Sequence, residues 1–235
     1  MPRPPQALRQ VAGHAWARLR PQFWFKTFGI TGFTTAFFIA YIHLMKHPGG
    51  PVTTVPQIWL DDWIPFNPAA LPVYLSLWVY LSLPASLMTR RREIIGFGWR
   101  MAIVCLIGLL VFWQWPNAVP PSHIDWARYP GMAFLKGVDA AGNACPSLHV
   151  ATAVFAGYWL HHQLPELGLG RTARGCNALW CLAICYSTMA TRQHVAIDVL
   201  AGSALGLGVA WLTHPVRRQA GQRHSSGAAR TPASP

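Results

Sequence analysis

Apolar and polar positions along this chain alternate on the scale of helices, not strands. Six mostly apolar stretches, at 28–45, 71–88, 94–115, 147–163, 177–189 and 195–213, are separated by segments rich in Arg, Pro, Gly and Asp. A bilayer crossing takes about 20 residues, with a range near 17–25. The pattern therefore predicts an all-α integral membrane bundle of six transmembrane helices, although the fifth stretch falls short of that range. Pro72 lies in the first turn of the second segment, where a missing N–H is tolerated, whereas Pro84 predicts a kink. Arg100, near the start of the third, can reach the headgroups along its own apolar stem.

Composition strengthens the membrane reading. Hydrophobic residues make up 52% of the 235 and charged residues only 11%, less than half the roughly 25% of soluble domains. One domain is expected, at 27–214, preceded by a basic aromatic interfacial or flexible segment at 1–26 (with Trp16, Phe23, Trp24 and Phe25) and followed by a basic flexible tail at 215–235. The basic start has no short apolar core followed by a cleavage site, so a removable leader is not expected. Trp59, Trp63, Trp113 and Trp115 sit near proposed span ends, where tryptophan anchors a helix at the interface.

A net charge of +12 alone would suit nucleic acid. Here the arginines flank apolar runs instead of forming one patch, and no nucleic-acid-binding motif is present, so no nucleic-acid partner is expected. Their distribution instead sets orientation. Fifteen of the nineteen Lys and Arg fall on one side of the predicted bundle, leaving Lys46, Arg128, Lys136 and Arg192 on the other. By the positive-inside rule both termini are cytoplasmic. The five cysteines include no C-x2-C pair, which gives a structural zinc site no support; Cys145 reads as a packed thiol.

Two short stretches carry the chemistry, Pro146-Ser147-Leu148-His149 and Arg192-Gln193-His194-Val195-Ala196-Ile197-Asp198, and each opens an apolar segment on the outward side. His194 and Asp198 are four apart, so on a helix they share one face. The carboxylate can then take one imidazole N–H and leave the opposite nitrogen as nucleophile or base. The bland alternative is a buried histidine capped by an acid, but ionisable groups within membrane segments are costly and usually functional. His149, at the start of another helix, can supply a second proton-handling group. Ser147 can cap that helix, whose free N–H groups favour anions. His123 and Asp125 read as a solvated loop.

The sequences CPSLHVA and STMATRQHVAIDVLAG resemble the second and third signature motifs of the type-2 phosphatidic acid phosphatase superfamily, usually P-S-G-H and S-R-x5-H-x3-D. With Leu148 in place of the glycine, the spelling is most similar to the branch of inositol phosphorylceramide synthases and their bacterial relatives. The resemblance covers roughly residues 100–210. It implies a membrane lipid phosphate phosphatase or phosphotransferase at the outward face of a bacterial inner membrane, with the bilayer and a lipid phosphate or phospholipid as partners. In that scheme His194 attacks phosphorus, Asp198 orients it, and His149 protonates the leaving oxygen and then activates water or an alcohol. No metal or other cofactor is implied.

The chain also departs from the family pattern. The first motif, K-x6-R-P, is replaced by the cation-free Trp113-Gln114-Trp115-Pro116-Asn117-Ala118-Val119-Pro120-Pro121, and Thr188 stands where the third motif has arginine. Phosphoryl transfer needs positive groups around the equatorial oxygens. The expected phosphate-binding set is therefore Arg192, Ser147, Lys136 and Arg128, with Lys46 as a further outward cation. Two other readings stay open: a metal held by His149, His194 and Asp198, which form a two-His, one-carboxylate set, and a non-catalytic membrane protein that retains the fold. Oligomeric state is not legible.

Overall fold

The computed structural model describes residues 13, 16–138 and 142–214. The expectations for the tail at 215–235 and for most of the first 15 residues lie outside the described residues. Helix α1 (Phe23–Lys46) begins five residues before its apolar run, because Phe23, Trp24 and Phe25 extend it. A short α2 (Trp59–Asp62) follows. The second apolar stretch is divided at Ser76 into α3 (Leu71–Leu75) and α4 (Leu77–Leu87), with Pro72 in the first turn of α3 and Pro84 inside α4. Next come α5 (Arg91–Gln114) and the surface helix α6 (Pro130–Val138). The last three are α7 (Leu148–Gln163), α8 (Arg171–Ala190) and α9 (Ala196–Thr213). One small departure from the all-α expectation is a two-residue parallel pairing of β1 (Thr53–Thr54) with β2 (Asn117–Ala118).

Among the described residues four helices are long and apolar enough to cross a membrane: Phe23–Lys46, Pro68–Leu87, Arg91–Gln114 and Ala196–Thr213. The other two expected spans fall outside that description for different reasons. At 16 residues α7 is short, and it is enclosed by protein. By contrast α8 has 20 residues, but its first turns carry Arg171, Thr172, Arg174 and Asn177. Large apolar side chains on α1, α5, α8 and α9, such as Phe28, Trp99, Leu182 and Leu212, are exposed. So much outward apolar surface suits hydrocarbon and not water, as in a multi-pass membrane protein.

At the centre stands α7, packed against α4, α5, α8 and α9. Val150, Ala151, Ala153, Phe155 and Ala156 are fully buried, and a helix buried all round belongs in the middle of a bundle. Its small residues let α9 come close. A Cβ at Gly202 would collide with the Ser147 carbonyl oxygen, and one at Gly206 with the Ala151 carbonyl oxygen. Glycines four apart are the usual means by which membrane helices bring their backbones together. Here that contact fixes the start of α9 against the start of α7.

Basic residues gather at the opposite end of the bundle. Arg18 pairs with Glu166 at 3.2 Å, Lys26 Nζ donates to the Ser86 carbonyl at 2.7 Å, and Arg91 Nε donates to Gln22 Oε1 at 2.7 Å. Arg100 does not reach for headgroups as expected. Its Nε donates to the Thr213 carbonyl at 3.0 Å and its guanidinium lies over the Trp159 ring. A carbonyl without an intrahelical partner at the C-terminus of α9 is a good partner for a cation.

Candidate active site

Two helix starts meet at the other end. Ser147 is the N-cap of α7, its Oγ accepting the Val150 N–H at 3.2 Å, and its own N–H donates to the Asp198 carbonyl at 3.0 Å. That backbone bond joins the two motifs directly. His149 follows on the first turn of α7. His194 lies just before α9, where its N–H and that of Gln193 both donate to the Thr188 carbonyl, at 3.1 and 3.0 Å. Thr188, in place of the family's arginine, thus contributes its backbone to holding the histidine loop.

The side chains form a line. Asp198 Oδ2 lies 3.3 Å from His194 Nδ1 and also accepts the Val195 N–H at 3.0 Å. His194 Nε2 faces His149 Nδ1 at 3.5 Å. On the far side of His149, Nε2 is 2.7 Å from the Tyr74 hydroxyl. Asp198 is wholly buried, His194 is 6% exposed, and Tyr74 is buried. Because Asp198 and His149 address opposite nitrogens of one imidazole, the three groups do not converge on a single point. No group of three His, Cys, Asp or Glu among the described residues forms a metal-binding cluster. The arrangement suits a hydrogen-bonded relay; it does not suit a facial metal triad.

Several residues that the sequence did not single out hold this line in place. Asn117, within the replaced first motif, accepts the N–H groups of Ala144 and Cys145 on Oδ1, at 2.9 and 2.7 Å. Its Nδ2 donates to the Cys145 carbonyl at 2.8 Å. One buried amide therefore fixes the strand leading into Pro146 and Ser147. Asp61 receives the Ala196 N–H at 2.8 Å, an acid at the first turn of α9 that complements the helix dipole. Tyr74 was missed because nothing in the spacing of 74 and 149 links them. The first-motif position and the Asp-Asp of α2 offered only weak signals.

The expected cations separate into two sets. Arg192 is half-buried in the turn before His194, with φ 55°, a left-handed conformation that costs a non-glycine residue about 1–2 kcal/mol. Lys136 Nζ donates to the Arg192 carbonyl at 2.7 Å and lies over the Trp126 ring, which brings a second cation to the histidine loop. Arg128 is instead exposed and paired with Asp125 at 3.2 Å, with no bond to either motif. Lys46 is exposed at the end of α1. Two buried polar atoms, Gln193 Nε2 and Asp198 Oδ1, have no hydrogen-bond partner among the described residues. Cys145 is packed beside Asp198; burial, then that neighbouring charge, pushes its thiol up to about 11.

The fold and site define a helical multi-pass membrane protein with two histidines and a carboxylate at one end of its bundle. A family model for the PAP2 superfamily, the type-2 phosphatidic acid phosphatases, matches residues 54–212, and the chain belongs to that superfamily. The matched stretch contains Tyr74, His149, His194 and Asp198. Membership points to phosphatase or phosphotransferase chemistry of the lipid phosphatase kind. No curated protein and no solved structure matches the chain.

Proposed function

We propose that the protein transfers the phosphoryl group of a lipid phosphate through a phosphohistidine on His194. The observation that carries this reading is the pair of contacts on His194, with Asp198 on Nδ1 at 3.3 Å and His149 across from Nε2 at 3.5 Å. With Nδ1–H given to the carboxylate, Nε2 keeps its lone pair and is the attacking atom. Substrate entry parts the two rings, and the leaving oxygen replaces Nε2 as the partner of His149.

In the first step Nε2 bonds to phosphorus, the P–O bond breaks, and the His149 imidazolium gives its Nδ1 proton to the leaving oxygen. In the second, neutral His149 takes a proton from water or an alcohol as that oxygen attacks phosphorus. The N–P bond then breaks, and both histidines regain their starting forms. Such proton transfer contributes typically 10²–10⁴-fold. Arg192, with Lys136 beside it, neutralises the equatorial oxygens. Ser147 serves as the cap of α7, a helix start whose dipole favours the anion. Arg128, engaged with Asp125, has the weakest claim to a phosphate-binding role.

We place the site outward, with α7 and α8 as the third-last and second-last of six spans and both termini cytoplasmic. Support comes from the basic residues gathered at the end away from His149 and from the apolar outer face of α8. Replacement of the first-motif cations by a residue with a structural task, Asn117, favours the synthase-like branch with an alcohol acceptor. The test is incubation of purified protein with a panel of phosphate-labelled lipids, with and without polyol or lipid alcohols. An acid-labile phosphoenzyme lost in His194→Gln is expected. Turnover that survives His194→Gln would overturn the mechanism, and no phosphoenzyme with any lipid would favour a non-catalytic protein.

A further inference from the structure

Beneath His149 the bundle is not filled. Beside the ring lies a cavity of about 220 Å³ lined by Tyr41, Tyr74 and His149 among others, and below it a second of about 400 Å³ runs between α1, α4 and α5. Phe37, Trp78, Leu81 and Thr152 line both, so the two are compartments of one groove. Its walls are almost wholly apolar, and the Thr152 hydroxyl in the wall donates to the Leu148 carbonyl at 2.7 Å.

The α1 wall runs from Ile42 and Phe38 beside the site to Gly29 and Phe25 at the far end. Those 17 positions correspond to about 26 Å of helix at 1.5 Å per residue. Half of a hydrocarbon core is only about 15 Å deep, so the groove continues past the bilayer midplane. The larger compartment runs along α1 from Phe37 to Phe25, about 18 Å at 1.5 Å per residue. Its volume of about 400 Å³ over that length leaves a mean cross-section of about 22 Å², room for one extended hydrocarbon chain. At its far end Phe25 lines the groove, with the Arg91 guanidinium 5.4 Å from the ring centroid and bonded to Gln22.

We infer that this groove binds the hydrocarbon tail of the substrate and measures its length: a phosphate at His149 and His194 with one chain longer than a single leaflet is deep. The inference rests on the lipid-phosphate reading of the site and narrows it from any phospholipid to single-chain, long-tailed phosphates. Continuity with the site identifies the occupant, because a tail entering beside His149 leaves its own headgroup at the histidines. A loosely associated bilayer lipid would have no reason to discriminate by length.

Two glycines give a direct test. A Cβ at either Gly29 or Gly98 would meet nothing within 4 Å, although both residues line the larger compartment. Leucine at either position therefore fills the groove without a backbone clash, and it favours helix over glycine. Octyl, hexadecyl and docosyl phosphates, with prenyl and diacyl phosphates for comparison, would be offered to the parent, Gly98→Leu and Gly29→Leu in detergent or nanodiscs. Turnover and binding of radiolabelled docosyl phosphate would both be followed, with melting as a check on folding.

The expected result is a KM for docosyl phosphate raised at least tenfold in both variants, with octyl phosphate unchanged and docosyl binding weakened in step. A prenyl phosphate of matched length losing more than the alkyl chain would identify a branched tail, and the reverse a linear one. Equal effects on every length, or none, would overturn the inference. So would a parent that prefers diacyl phosphates. A parent that binds docosyl phosphate but turns nothing over would sink the catalytic reading and leave the groove standing.

Discussion

The Tyr74 hydroxyl lies 2.7 Å from His149 Nε2, on the side of the ring away from His194. In the proposed mechanism His149 gives up its Nδ1 proton and keeps one on Nε2, and the tyrosine oxygen would accept that N–H before and after the transfer. It also keeps the ring from turning, since the Tyr74 and His149 rings pack at a tilt of 34° with centroids 5.0 Å apart. In the proposed mechanism Tyr74 is a positioning residue, acting through His149.

Tyr74→Phe keeps the ring contact and removes the hydroxyl. A hydrogen bond to a charged group contributes about 1.5–3 kcal/mol, so turnover of alkyl phosphates should fall about 10–100-fold. A p-nitrophenyl phosphate leaves without protonation and should lose little. Equal losses on both substrates would reduce Tyr74 to a packing role.

His149→Gln should slow both formation and breakdown of the phosphoenzyme, by about 10²–10⁴-fold for lost proton transfer. Rapid-quench trapping of the labelled adduct separates the two steps. An unchanged breakdown rate would mean that another group activates the acceptor.

At Arg192 the guanidinium can grip two phosphate oxygens at once, which an ammonium cannot. Arg192→Lys should lose much of the activity and Arg192→Ala nearly all, with membrane insertion unchanged. Parent-like rates for Arg192→Ala would move the phosphate to Lys136, whose own replacement is the natural control.

Cys145 should resist maleimide in the native protein at neutral pH. With its thiol pushed up to about 11 by burial and by Asp198, the reactive thiolate is scarce until the solution approaches that pH. Mass spectrometry after labelling, native against denatured, reads this directly. Rapid native labelling would mean that the turn before Pro146 opens.

Gly206→Ala tests the junction of the two motif helices. The added methyl meets the Ala151 carbonyl oxygen, and overpacking of this kind typically costs about 1–3 kcal/mol. Melting in detergent should fall, and activity should fall further, because His149 is on α7 and His194 lies just before α9. An undiminished melting temperature would show that the helices part easily.

The apolar runs by themselves determined that the chain is helical and membrane-bound, because burial in hydrocarbon depends on composition over about 20 residues, not on partners. They also located the ends of the long helices to within three positions, except for the starts of α1 and α8. In α8 the first six residues, Arg171 to Cys176, are helical but include Arg171, Thr172 and Arg174, so hydropathy could not register them. The pairing of His194 with Asp198 was legible because it is local, but not as one helical face. His194 precedes α9, and Asp198 reaches back to it from the first turn of the helix while capping the Val195 N–H. What only the tertiary structure decided is everything set by long-range contact. It put His149 opposite His194 across 45 residues, Tyr74 behind His149 across 75, and Asn117 under Cys145 across 28. It also turned Arg100 inward to the end of α9, and it left a groove where α1 stands away from α4 and α5. Such pairings depend on which helices pack together, and in this chain the glycines at 202 and 206 decide that only once Ala151 and the Ser147 carbonyl are opposite them.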